Sequence, residues 1–498
     1  MIRLNINISK FENDVRALLM AFFPGEKISV APTESTDYFL NVCFKNVTDE
    51  KPFGTEIFCE FFENEKAAAS GRTPTDTADK KMARDQLKRL VYKLLCSAEK
   101  TELPWGTLTG IRPTKTAMAL LEDGMSEEAL YTYFKDNFKI SDEKYRLCTT
   151  VARNEKRLLE PLDYKHSYSL YAGIPFCPTI CAYCSFSSYP LKAWQGKVDD
   201  YLSAMFKEIE VMSERFRNKQ LLSFYMGGGT PTSLTAGQMD RLLTKLEDCF
   251  HIGEAKEITI EAGRPDSITP EKLSVIKAHG IDRISINPQT MNQKTLDIIG
   301  RRHTVDDVYK AFEMARNAGF TNINMDLIAG LPGENYEDFC HTTEAIKALA
   351  PESLTVHALA IKRAAALNKE ETYRMRTGVA ETNAMISEGF KSAQAMGMAP
   401  YYMYRQKNIA GNLENVGYAK PGREGLYNML IMEEKQSILA IGAGASTKMV
   451  IHDEDRIERI ENVKSVKDYI ERIDEMLARK ENIEHYVADK QAYGGKIL

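Results

Sequence analysis

Between residues 169 and 359 a short β-rich run recurs six times: "SLYAGIP" (169–175), "LSFYMG" (222–227), "EITIEA" (257–262), "DRISIN" (282–287), "INMDLIAG" (323–330) and "SLTVHAL" (353–359). Stretches with helical spacing of apolar residues separate them, at 198–216, 236–250, 270–279, 305–318 and 336–349. Strand and helix in strict alternation leave few folds open. They call for a parallel sheet with right-handed crossovers. Six units are too few for a closed eight-stranded barrel and predict an open, partial (β/α)6 barrel, with a doubly wound open sheet as the alternative that periodicity does not exclude. Both put their chemistry at the C-terminal ends of the strands.

The rest of the 498 residues, 43% apolar, is enough for further domains at the usual ~100–200 residues each. Residues 1–160 mix the strand candidates "RLNINI", "YFLNVCFKN" and "TEIFCEFF" with helices and predict an α+β domain. The barrel is expected over 161–396. Residues 397–498 hold "MGMAPYYMYRQKNIAGNLENVGYAKPG" and a charged helix near 462–479, and are expected to form a mainly helical extension that covers the substrate.

Apolar runs such as 18–23 and 438–445 fall far short of the ~20 residues that span a bilayer, so no membrane span is expected. The first residues, "MIRLNINISKF", alternate like a strand and lack a charged segment before an apolar one, so a cytoplasmic location is expected. A net charge of −5, from 65 basic and 70 acidic residues, argues against nucleic acid as a partner. The segment 80–100 carries seven Lys or Arg against Asp85 and Glu99 on an amphipathic pattern. It reads either as a solvated basic face or as a dock for an acidic protein such as a ferredoxin or flavodoxin.

Three of the nine cysteines, Cys177, Cys181 and Cys184, stand as C-x3-C-x2-C in "GIPFCPTICAYCSFSSYP" (173–190), just after the first strand. Three thiols cannot pair completely, and the other six are scattered, so this is not a disulfide framework. Structural zinc takes four closed ligands, and no further Cys or His follows within the loop. Three thiolates suit one corner each of an iron–sulfur cluster, leaving one iron open for a substrate or cofactor.

With that spacing on that loop, the sequence resembles the radical S-adenosylmethionine (SAM) superfamily. The approach "YAGIPFC", the ending "AYC" and the later motifs resemble the oxygen-independent coproporphyrinogen III dehydrogenase family, over about residues 165–450. The resemblance implies a radical SAM partial barrel, a [4Fe–4S] cluster on Cys177, Cys181 and Cys184, and SAM chelating the open iron. "MGGGTPT" (226–232), which alone could be a tight turn or a phosphate nest, becomes the motif that binds the SAM amino group, through Gly227, Gly228, Gly229 and Thr230. Glu261 after strand three suits the ribose, its plainer reading being an ion pair with Arg264. Gln289 after strand four and Arg301 in "GRRH" approach the SAM carboxylate and sulfonium. Asp326, Ile328 and Ala358 after strands five and six line the adenosine. Tyr171, Gln289 and Arg301 are the residues the resemblance assigns to catalysis. Taken singly, each polar residue reads equally well as structural.

In such enzymes a 5′-deoxyadenosyl radical removes a propionate β-hydrogen, and loss of CO2 turns coproporphyrinogen III into protoporphyrinogen IX. A tetrapyrrole substrate has carboxylates to be met by Lys362, Arg363, Arg405 and Lys407. His166, His279, His303 and His357 are candidate porphyrin neighbours. "GAGAST" (442–447) lacks the setting of a dinucleotide site and resembles the family's glycine-rich turn. Coproporphyrinogen dehydrogenases carry a fourth cysteine two positions after the third. This sequence has Phe186 there, as related haem chaperones do. "PWGTLTGIRPTK" (104–115), "EAGRPD", "INPQTM" and "YYMYRQKN" resemble instead a longer branch with an N-terminal domain, assigned to dehydrogenation, which is the expected activity, with a haem-binding chaperone and an anaerobic haem-modifying radical SAM enzyme as the alternatives.

Overall fold

Alternation along Tyr38–Lys45 turns Leu40, Val42 and Phe44 to one side, and burying that side makes the run the middle strand of a five-stranded sheet. The computed structural model describes residues 1–30, 36–75, 79–186, 188–360, 378–406, 410–454 and 456–487. They fall into two units: Met1–Arg153 with Met403–Glu414, and Asn154–Tyr402 with Asn415–Leu498. In the first unit the sheet order is Ile28–Ser29, Ile2–Ile6, Tyr38–Lys45, Glu56–Glu63, Lys66–Pro74, parallel at the first two pairings and antiparallel after. Val15, Leu18 and Leu19 of the helix Glu12–Phe22, and Leu87, Val91 and Leu95 of the helix Lys80–Glu99, join the strands in one core. The second helix starts where Asp79 caps the Lys81 N–H and ends at Lys100 in the left-handed region.

Met403–Glu414 is held in this unit by buried charge. The Glu414 carboxylate is fully buried and accepts from Trp105 Nε1 (2.6 Å) and Lys144 Nζ (2.7 Å). Removing one partner of such a pair strands a buried charge and is strongly destabilising, so the contact fixes where this segment lies. Arg405, expected near the barrel mouth, belongs to this unit too: its guanidinium donates to the Leu108 carbonyl (2.6 Å) and lies over the Trp105 ring. Lys362, Arg363 and Lys407 lie outside the described residues.

In the second unit the six expected strands are β1 (Ser167–Ile174), β2 (Gln220–Gly228), β3 (Glu257–Glu261), β4 (Arg283–Ser285), β5 (Asn322–Ala329) and β6 (Ser353–Ala358). The crossover helices are α1 (Val198–Phe216), α2 (Ala236–Phe250), α3 (Pro270–Ala278), α4 (Val305–Asn317) and α5 (Tyr336–Leu349). The strands are all parallel and pair in the order 1-2-3-4-5-6. A doubly wound sheet must reverse its order somewhere, and this run does not, so right-handed crossovers put every helix on one side. That is the open (β/α)6 arrangement. Ile323, Met325, Leu327 and Ala329 of β5 are buried together with Asp326's neighbours on β6, as parallel strands covered on both faces require.

The residues after 396 differ from the expected helical extension. Among the described residues they contribute five strands, β7 (Ala399–Tyr404), β8 (Asn415–Ala419), β9 (Ser437–Ile441), β10 (Ser446–Ile451) and β11 (Arg456–Glu461), and three α-helices, Leu426–Glu433, Val466–Glu471 and Ile473–Arg479. β8 pairs antiparallel with β6 and β9 parallel with β1, so the extension caps both edges of the barrel sheet. The aromatic and β-branched runs "APYYMY" and "STKMVI" suit strands, but the strands that join the barrel sheet are β8 and β9, whose partner edges lie more than forty residues away in sequence for β6 and far more for β1, beyond the reach of local pattern.

Candidate active site

The cysteine loop leaves β1 through Ile174 and Pro175 and is closed at its base, where Phe176–Cys177 pairs with Tyr189–Pro190. Its middle is tied to the loop before α4: Ala182 N–H donates to the Ile299 carbonyl (2.9 Å). Arg264, nearly fully buried, grips Asp266 with Nε and Nη2 and reaches the Thr179 carbonyl (3.1 Å), the Thr179 hydroxyl (3.0 Å) and Cys181 Sγ (3.5 Å). Glu261, its expected ion partner, is bonded elsewhere. Thr230 Oγ1 donates to Cys177 Sγ (3.5 Å).

These surroundings treat the three thiols differently. Burial pushes the Cys177 thiol up to about 11, and burial also raises Cys184. Burial would raise Cys181 as well, but the guanidinium groups of Arg301 and Arg264 outweigh it and bring that thiol below its ordinary value. The sulfurs are engaged separately, and among the described residues no three metal-ligating side chains converge on one point. Cys249 lies on α2 and Cys340 on α5, each apart from this loop.

β2 ends in the glycine run. Gly229 N–H donates to the Ile174 carbonyl (2.7 Å) and Thr230 N–H to the Phe176 carbonyl (2.8 Å), so the run is stitched to the chain entering the cysteine loop. A Cβ on Gly229 would come within 2.6 Å of the Phe176 oxygen, and Gly228 has φ of +108°, a region side chains disfavour. The space beside these glycines is filled by the backbone of residues 174–176. Their expected role as clearance for a ligand therefore has a second cause, the packing of two strand ends.

Tyr171 of β1 points into the barrel and stacks near Tyr225 (6.3 Å between centroids) and Tyr427 (6.3 Å), which stack on each other at 4.6 Å. Tyr225 OH donates to Glu261 Oε1 (2.5 Å). Burial, with the Asp326 charge adding, pushes the Glu261 carboxyl up to about 7, against the pull of Tyr225 and of the Gly228 N–H. Asp326 is held below the ordinary range in spite of its burial, by His357 at 3.8 Å and by Asn324, whose amide donates to it at 2.7 Å.

Gln289 sits in the left-handed region at φ 68°, where its N–H meets the Asp326 carbonyl and its carbonyl receives the Ile328 N–H, both at 3.0 Å. Such a conformation in a non-glycine residue carries strain and persists only where its surroundings fix it. Its side-chain Oε1 is buried and has no partner, and the same holds for Asn287 Oδ1 and Arg301 Nε. Arg301 is otherwise anchored on the Asn287 and Pro288 carbonyls. Three orphaned polar atoms at one strand end are what a bound polar ligand would satisfy. Ile328 packs with Leu296, Ile299, Leu331 and the loop's Tyr183, while Ala358 N–H donates to Asn415 Oδ1 (3.0 Å).

Of the four histidines, His166 and His279 pair with Asp163 and Asp240 on part-exposed surface, and His303 is buried beside Arg301. Only His357 faces the strand-end carboxylates. Tyr225 and Tyr427 are the residues that sequence reasoning missed. Tyr225 adjoins the glycine motif and could have been noticed; Tyr427 arrives on a helix more than 200 residues after β1, with no local signal.

The unfolded and folded environments of Glu261 differ enough to test. Its folded value lies above the ordinary one, so the ligand-free protein gains stability from its protonated form at low pH and loses that contribution as pH rises through about 7. Thermal unfolding of Glu261→Gln should lack this part of the decline, which falls between about pH 4.5 and 7. An identical decline in both proteins would show that Glu261 is not the buried group responsible.

The model of the radical SAM superfamily matches residues 171–346. The oxygen-independent coproporphyrinogen-III oxidase-like protein HemZ of Bacillus subtilis is 36% identical over 99% of this chain and 97% of its own length. Heme chaperone HemW of the same organism is 32% identical over 62% of this chain and 76% of its own. The oxygen-independent coproporphyrinogen III oxidase of Salmonella typhimurium is 35% identical, over 48% of this chain and 50% of its own. Among solved structures, coproporphyrinogen III oxidase (HemN) from Escherichia coli, a radical SAM enzyme, superposes with a TM-score of 0.52 over 65% of this chain and 73% of its own, at 23% identity, which speaks to the fold. No described helix is long and apolar enough to cross a membrane. The sheet order, the cysteine loop and a relative matching from end to end lead to one conclusion: the chain belongs to the radical SAM superfamily, whose cofactors are a [4Fe–4S] cluster and SAM, and within it to the family of oxygen-independent coproporphyrinogen III oxidases and their oxidase-like relatives.

Proposed function

We propose that the protein oxidatively decarboxylates two propionates of coproporphyrinogen III to vinyl groups, giving protoporphyrinogen IX. One observation carries this reading over the others: the resemblance to an oxidase-like protein runs through both units, whereas the resemblance to the chaperone covers 62% of the chain. In this reading Cys177, Cys181 and Cys184 would hold the cluster: the donor chemistry fits, three thiols on one loop whose charges act on one another, and binding would draw together sulfurs that do not converge in the ligand-free loop. When bound and reduced, the cluster and SAM would supply a 5′-deoxyadenosyl radical able to take a propionate β-hydrogen; loss of CO2 and transfer of the remaining electron to a one-electron acceptor, required as a co-reactant, would then leave the vinyl group.

The protein's own residues bind and orient. Carbonyls of Gly227, Gly228 and Gly229 would hold the SAM amino group, with Thr230 steadying Cys177. Arg301 would meet the SAM carboxylate with its unpartnered Nε–H, and Gln289, whose unpartnered Oε1 only accepts, would lie toward the positively charged sulfonium. Glu261 takes the ribose, where Tyr225 fixes its rotamer. Asp326, Ile328 and Ala358 bound the adenosine. Tyr171 on β1, stacked with Tyr225 and Tyr427, would help to exclude water from the cofactor site. The reaction needs electrons one at a time, so the partner is a ferredoxin or flavodoxin-type donor. On the helix Lys80–Glu99, Lys80, Lys81 and Lys93 remain exposed for it, while Lys88 and Arg89 are bonded to Thr109 and Asn137.

A haem chaperone is the second reading, favoured by Phe186, whose side chain stands 71% exposed two positions after Cys184. The two readings separate in one assay. Anaerobic incubation of coproporphyrinogen III with SAM and dithionite should release CO2 and yield vinyl-bearing product, with weak haem binding. Stoichiometric haem binding without vinyl product would select the chaperone.

A further inference from the structure

In the first unit, two cations are fastened to consecutive residues of the loop 105–111. Lys88 Nζ donates to Thr109 Oγ1 (3.0 Å), and Arg405 donates through Nη1 to the Leu108 carbonyl and through its backbone N–H to the Ile111 carbonyl (2.8 Å). Arg405 is only 4% exposed, yet its Nε and Nη2 have no partner. Asn412 follows on the same segment with its carbonyl near Arg405 Nη1 (3.4 Å), and its Nδ2 is buried and unpartnered as well. Among the described residues of Met403–Glu414 the three orphaned side-chain atoms are all N–H donors, so what the place lacks is an acceptor.

Among the described residues no nearby carboxylate is bonded to these donors: Glu414 is taken by Trp105 and Lys144, Asp85 is paired with Arg84, and Asp14 acts on Lys88 through its charge alone. Burial, with Arg84 and Arg405 acting in the same direction, brings the Lys88 ammonium down to about 8, against the opposing charges of Asp14 and Asp85. Two desolvated cations side by side repel unless an anion joins them. A planar fork with free N–H groups beside an ammonium suits a group with several acceptor oxygens.

We propose that the first unit contains an oxyanion site in which Arg405, Lys88 and the Asn412 amide hold one carboxylate or phosphate group. It is separate from the residues assigned to the cluster and SAM. Trp105, with the Arg405 guanidinium 4.9 Å from its ring, reports on it, and the chain has one other tryptophan, Trp194.

The test uses the full chain carrying Trp194→Phe, in low-chloride buffer, titrated separately with inorganic phosphate and with succinate and followed by Trp105 fluorescence and calorimetry. At least one anion should bind saturably, and phosphate alone or succinate alone would tell which source the site serves. Lys88→Gln changes a half-buried side chain and should weaken binding about tenfold or more, the size expected for a lost charge-assisted hydrogen bond. Arg405→Lys, which keeps the charge and removes the fork, should weaken it comparably in a protein whose unfolding temperature is checked first. No saturable binding of either anion, or a loss below about fivefold in Lys88→Gln, would overturn the proposal.

Discussion

Changing Cys181 to Ala is expected to remove the brown absorbance and to abolish SAM cleavage, taking the iron content of anaerobically reconstituted protein from about four per chain to background. Cys177→Ala and Cys184→Ala should do the same, because a cubane with one iron reserved for SAM has no thiolate to spare. Cys181 should be the least forgiving of the three. It is the thiol that Arg264 and Arg301 hold toward the ionised form, and its loss would leave two nearly fully buried guanidinium groups facing an empty corner. Cys249→Ala, on α2, should retain iron and activity. Zinc in place of iron, or an indispensable Cys249 or Cys340, would refute the ligand assignment.

Gly229→Ala should be nearly as damaging, for a reason that the sequence did not disclose. The added carbon would lie 2.6 Å from the Phe176 carbonyl oxygen and 2.9 Å from the Ile174 oxygen, backbone atoms that cannot swing aside. Relief requires moving residues 174–176, which lead directly into Cys177. Both SAM affinity and iron content are therefore expected to fall, SAM affinity by about tenfold or more if the Gly229 to Ile174 hydrogen bond is lost and its groups stay buried. Gly227→Ala differs: its Cβ would press on the Glu261 carboxyl at 2.9 Å, a side chain, so SAM affinity should suffer while iron is kept. Full iron content in Gly229→Ala would show that the strand ends are not coupled as described.

The barrel was legible because each of its units announces itself locally, by a run of β-formers and then an amphipathic helix. The observed β1 to β6 each overlap their expected runs. Strand order was not legible, since pairing is a property of distant segments, and it took the 1-2-3-4-5-6 order to exclude the doubly wound alternative. The C-terminal strands failed for the same reason: β9 is a strand because β1 offers it an edge, and nothing within "SILAI" says so. At the site, Cys177, Cys181, Cys184 and the glycine run were visible as clusters along the chain. Tyr427 and the pairing of Arg264 with Asp266 rather than Glu261 depend on which side chains meet in space. Arg405 shows the limit most clearly, because its motif is legible while the unit it joins is set by a buried Glu414 bonded to Trp105 and Lys144.

The most direct measurement of the proposed reaction uses coproporphyrinogen III deuterated at the propionate β-carbons, incubated anaerobically with the reconstituted protein, SAM and reductant. The account predicts deuterium in the recovered 5′-deoxyadenosine together with vinyl groups on the tetrapyrrole. Unlabelled 5′-deoxyadenosine with the tetrapyrrole's carboxyl groups all intact would contradict it.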